Sequence, residues 1–129
     1  MKFNSSMPTS LKSYFQQELT EAENTFFKGY FQQSWRHLER AHILGQPYPI
    51  AHTFVHWKML LFGIKTKNTK EIIGQIPRLL VGGLKSFVGN IPIGNTGGAN
   101  VPPLQAMEIP EDLLFIIKTH SNHETTHQR

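Results

Sequence analysis

Glu39 and His42 stand three residues apart, and His52 and His56 four apart, on either side of Gly45-Gln46-Pro47-Tyr48-Pro49. On a helix these steps leave the members of each pair about 60° and about 40° apart, so each pair shares a face. Glu-x-x-His is the pair that carboxylate-bridged metal bundles place on two of their helices. His-x-x-x-His is a common chelating pair, and imidazole nitrogen suits both zinc and iron. A short turn folds the two helices antiparallel. His42, near the end of one, then meets His52, near the start of the next. The chemistry expected is ligation of zinc or iron by Glu39, His42, His52 and His56. Glu18, beside the apolar stripe of the preceding helix, and His37 are candidates for further ligands. His37 fits least, because it lies about 140° around the helix from His42. The competing reading is a buried network in which the histidines hydrogen-bond to Glu39 or a tyrosine.

Catalysis asks for more than ligands. Four ligands closed around an ion make a structural site, whereas catalysis needs an open position. The chain has no nucleophile elbow and no His-Glu-x-x-His helix, so no specific enzymatic chemistry is indicated. A second conspicuous stretch is Gly94-Asn95-Thr96-Gly97-Gly98. Clustered amides of such a turn can cradle an anion. Ala99 and Asn100 stand where a phosphate loop needs lysine and a hydroxyl residue, and no strand precedes it for a dinucleotide fingerprint. The stretch is expected as a tight turn packed over the helices.

Four helical patterns position these residues. Leu11, Phe15, Leu19, Ala22 and Phe26 form one stripe, capped by Thr9 or Ser10 and ended at Lys28-Gly29. Phe31, Ser34, Trp35, Leu38, Ala41 and His42 form the next, from about Tyr30 to Leu44, with Gly45 as its stop. A third runs from Pro49 or Ile50 to about Phe62, ended by Gly63 and the polar run Lys65-Thr66-Lys67-Asn68; Val55, Met59 and Phe62 make one apolar line, and His52, His56 and Leu60 an adjacent one. Trp35 and Trp57 are expected in the core. Asn68 or Thr69 caps a fourth pattern, with Glu71 in its first turn and Ile72, Ile76 and Leu79 among its apolar residues. Pro77 within it predicts a kink or a break into two pieces. From Gly89 to Pro103 periodicity is lost, and Pro110 opens a short helix to about Lys118.

The chain has 129 residues, no cysteine and a formal charge of +4. That length suits one domain and excludes neither enzyme nor binding module. Without cysteine there is no disulfide framework, thiolate site or cysteine nucleophile. No signal-peptide pattern and no membrane-length apolar run is present, so a cytoplasmic location without membrane contact is expected. Lys65, Lys67 and Lys70 cluster, but no groove-reading motif accompanies them, which argues against nucleic acid. A protein partner and self-association stay open. The expected domain covers 9–119, with disordered segments at 1–8 and 120–129; the tail histidines His120, His123 and His127 are expected to be solvated.

The expected fold is all-α: a four-helix antiparallel bundle of helical hairpins with a short C-terminal helix and a glycine-rich wrapping loop. The first hairpin is tetratricopeptide-like, from Gly29-Tyr30-Phe31-Gln32-Gln33-Ser34 followed by Leu38-Glu39-Arg40-Ala41. A single copy cannot make a solenoid.

The run His37-Leu38-Glu39-Arg40-Ala41-His42-Ile43-Leu44-Gly45-Gln46, with His52-x-x-x-His56-Trp57-x-Met59, Gly74-Gln75-x-x-Arg78 and Gly94-Asn95-Thr96-Gly97-Gly98, resembles the bacterial family known as domain of unknown function 3703. The resemblance spans about residues 11–118. It carries no activity with it. It implies a small helical bacterial protein in which Glu39, His42, His52, His56 and the Gly94–Gly98 loop act together. The leading expectation is a metal-binding helical protein. The second is a tetratricopeptide-like interaction module with a histidine hydrogen-bond network, and the third a small metal-dependent hydrolase or oxygenase.

Overall fold

The computed structural model describes residues 6–87, 97–99 and 107–121, with side chains described for 6–79, 97–99 and 107–120. Gly94, Asn95 and Thr96, most of the 89–103 segment, residues 1–5, and His123 and His127 lie outside the described residues. The five helices described are α1 (Thr9–Phe27), α2 (Phe31–Gly45), α3 (Pro49–Lys65), α4 (Thr69–Phe87) and α5 (Glu111–Ser121). No strand occurs among the described residues, and the chain is an all-α helical bundle. None of these helices is long and apolar enough to cross a membrane.

α1 packs against α2, α2 against α3 and α3 against α4, and cross-contacts fix the directions of the first three. Ser34 on α2 donates its hydroxyl to the Ala22 carbonyl of α1 at 2.6 Å. Arg40 and His37 reach Glu18. Contact positions fall along α1 as they rise along α2, so the pair is antiparallel. His42 against His52 and Trp35 against Phe62 give the same sense for α2 and α3. α5 lies across α1 and α2, and Arg40 binds both oxygens of Asp112 there.

α2 is therefore covered by α1, α3 and α5, and every residue from Ala41 to Gln46 is buried. The core is Leu11, Phe15 and Ala22 of α1, Leu38, Ala41, Ile43 and Leu44 of α2, Tyr48 of the turn, Val55 and Met59 of α3, and Leu113 of α5. This apolar burial is the main force holding the helices together.

Several local expectations are corrected. α1 has Pro8 at its N-cap without a side-chain cap, since proline's fixed φ already suits a helix start. Gly63 does not end α3, which continues to Lys65. A Cβ there would stand 3.3 Å from Glu71 Cβ, so the missing side chain lets α4 approach α3. Pro77 does not divide α4. It is exposed, so the Ile73 carbonyl it leaves unbonded can face water. Trp57 is 46% exposed rather than in the core, whereas Trp35 packs on Phe62. Two expectations hold: Gly29 has φ +82°, and Asn68 accepts from the Glu71 amide at 3.2 Å.

Candidate metal centre

The three histidines that flank the α2–α3 turn meet at one point. His42 Nε2 lies 3.0 Å from His52 Nε2 and 3.1 Å from His56 Nε2, and the last two are 3.1 Å apart. The nitrogens form a nearly equilateral triangle, with the rings packed edge to face. All three residues are buried. The close approach of α2 and α3 begins at Gly45, where a Cβ would lie 3.0 Å from Phe15 Cε2 and 3.3 Å from Ala51 Cβ.

α4 supplies the support. The Gln75 amide nitrogen donates to the Gly97 carbonyl at 2.8 Å and to Glu71 Oε2 at 3.1 Å. Those two acceptors set the amide's orientation, and Gln75 Oε1 then faces His56 Nδ1 at 2.7 Å. An oxygen there can only accept, so Nδ1 carries the proton. In neutral His56 the Nε2 inside the triangle is then a bare lone pair. Burial pushes the His56 imidazole down to about 4, opposed by the Gln75 hydrogen bond and aided by the charge of Arg78. The ring is therefore neutral near pH 7.

A proton count follows. Three N···N edges near 3 Å need three shared protons to be ordinary hydrogen bonds. His56 offers none, and neutral His42 and His52 offer at most one each. At least one edge then sets two lone pairs against each other. A cation at the triangle removes that repulsion by accepting all three.

The Gly97–Ala99 segment lies directly on the site. A Cβ at Gly97 would be 2.6 Å from His42 Cδ2 and 2.8 Å from Nε2, and Gly97 has φ +85°. Only glycine suits both the conformation and the contact. The Ala99 amide donates to Glu71 Oε1 at 2.9 Å, so Glu71 binds Gln75 with one oxygen and this segment with the other. Arg78, one turn beyond Gln75, is also buried; burial lowers its pKa and Glu71 raises it.

Among the described residues, His42, His52 and His56 are the group whose ligand atoms converge closely enough to hold a metal ion. Glu39 is not part of it. It is half-buried on α2, and its carboxylate is not among the converging ligand atoms. Glu18 and His37 are drawn together elsewhere, at 2.7 Å, with Arg40 Nε at 2.8 Å from the other Glu18 oxygen. The phase of His37 around α2 carries it to that side. Of the glycine loop, Gly97 and Gly98 are buried and Gly97 touches the site.

Glu71 and Gln75 were not expected at the site. A trace exists in the sequence: Glu71, Gln75 and Arg78 recur at steps of four and three, interleaved with the isoleucines of α4. A polar line through an apolar helix marks a face with polar business inside the fold.

The family model described as protein of unknown function (DUF3703) matches residues 9–117. No curated protein and no solved structure matches the chain.

Proposed function

We propose that this chain, which belongs to the DUF3703 family, binds one transition-metal ion through Nε2 of His42, His52 and His56. The observation that carries the reading is the triangle itself: three buried imidazole nitrogens at 3.0–3.1 Å, one of them fixed by Gln75 as a bare acceptor. An ion about 2.0–2.1 Å from each nitrogen would stand about 1 Å off their plane. Imidazole donors suit zinc and iron, the two metals to test first. Gln75 acts as the outer partner that fixes tautomer and ring orientation, a role commonly filled by a carboxylate or carbonyl. Because Gln75 is neutral, it leaves the charge of the ion undiminished.

The test is elemental analysis of protein purified without a histidine tag or nickel resin, joined to melting with added zinc or ferrous iron. About one ion per chain, or a clear rise in melting temperature that His52→Ala abolishes, is expected. Metal-free protein whose melting neither ion changes would refute the reading.

Ligand number favours a second reading, a small metal-dependent hydrolase or oxygenase. Three histidines are the protein set of some catalytic zinc sites, where water takes the fourth position. Metal-dependent turnover of an ester or an oxidisable substrate, lost in His42→Ala, would support it.

A further inference from the structure

Away from the histidines, α1 and α3 leave a cleft. Both run antiparallel to α2 and therefore parallel to each other, and their backbones do not pack together. The space between them measures about 350 Å³. Leu19, Phe26 and Phe27 line one wall, Phe54 and Leu61 the other, and Leu38 of α2 lies beneath. Phe27 is 83% exposed and Phe54 43%. Clustered aromatic exposure of this kind marks a surface that meets something.

The charges on the walls are unequal. Lys58 and Lys65 both stand on α3 and line the cleft. The Lys58 ammonium lies 5.4 Å from the centre of the Phe54 ring, and that of Lys65 5.4 Å from the Phe26 ring on the opposite wall. Glu23 stands on the α1 wall. Seven residues separate the lysines, so they are two turns, about 10 Å, apart along α3.

We propose that this cleft docks an amphipathic helix of a partner protein whose acidic residues, seven apart, meet Lys58 and Lys65. The lining runs from Gln16 to Phe27 on α1 and from Phe54 to Lys65 on α3. That is about 16 Å, or three helical turns. A helix of that length fills the trough with residues at i, i+3 or i+4, and i+7, and keeps its other side in water. The cleft's open side requires this. An acyl chain has no side to leave wet, and its single carboxylate would need one cation at one end. Two cations at a two-turn spacing repeat the spacing of side chains on a helix. Glu23 opposite favours a basic residue on the partner's other flank, which fixes how the helix lies.

The probe is a synthetic helical peptide of about four turns with such a leucine stripe and two glutamates seven apart. Its control carries lysines at the glutamate positions. Binding of the fluorescently labelled peptides to the full chain is read by anisotropy. The glutamate peptide should bind about tenfold more tightly than the lysine peptide, a preference that weakens with salt. K58E/K65E should reverse the preference, and F54A should weaken both peptides. The variants lie outside the histidine site, so unchanged helical circular dichroism and metal binding verify their fold. Equal affinity for the two peptides, no binding of either, or the same preference in K58E/K65E would overturn the proposal. Dodecanoate binding without peptide binding would overturn it in favour of an acyl ligand.

Discussion

At the scale of single residues, Gln75 and Gly97 decide whether three histidines become a site. Gln75 is fully buried and joins His56, Glu71 and Gly97. Gln75→Leu keeps the volume but frees the His56 tautomer, so metal affinity should fall about 10–100-fold. It also strands buried acceptors and should cost about 1–3 kcal/mol in denaturant unfolding. Gly97→Ala forces a Cβ into the His42 ring at a positive φ, whereas Gly29→Ala meets nothing within 4 Å at a similar φ. Both should lose about 1–2 kcal/mol to the left-handed backbone. Only Gly97→Ala should also weaken metal binding; equal metal affinity in the two variants would break the link between this segment and the site. The histidines were legible in the sequence because a helical period and one short turn bring them together. Glu39 obeyed the same spacing rule, but about 60° of helical phase separates it from His42. Its carboxylate is not among the atoms that converge on the histidine site. Gln75 was harder to place, because His56 and Gly97 are 19 and 22 residues away and the polar line it forms with Glu71 and Arg78 does not name them.

At the scale of elements, the glycines of the helix ends act as places of close approach. Gly45 faces Phe15 and Ala51, and Gly63 faces Glu71 and Ile72. Gly45→Val should overpack the α1–α2–α3 junction and cost about 1–3 kcal/mol, read as a lower denaturant midpoint with unchanged slope. Read from sequence, glycine suggests a stop; α2 does end at Gly45, but α3 runs on past Gly63, and both positions serve contact between helices. The same correction applies to Pro77. An exposed proline in a continuous helix removes one hydrogen bond that packing elsewhere outweighs. Pro77→Ala should therefore raise the melting temperature, with a gain of up to about 3 kcal/mol; a lower melting temperature would mean that the proline shapes α4. The order and type of the helices were legible because each carries an apolar stripe of helical period. The register of α4 against α3 was not, and that register places Gln75 beside His56.

At the scale of the whole molecule, folding has buried three imidazoles together, which ties stability to protons. The folded-state value of His56, about 4, lies below its ordinary 6.5. Between those values the unfolded chain binds more protons than the folded one. The metal-free protein should keep this stability in full above pH 6.5 and lose it as pH falls toward 4, by an amount on the order of 3 kcal/mol. Chemical denaturation across that window checks it, and His56→Gln should flatten the dependence. Metal should move the loss to lower pH, because an ion competes with protons for the same nitrogens. The most direct measurement of the central claim is X-ray absorption of the zinc- or iron-loaded protein. The account predicts three imidazole nitrogens at about 2.0–2.1 Å from zinc, with the outer-shell scattering of three rings. A spectrum with no imidazole scattering, or one unchanged in His52→Ala, would contradict it.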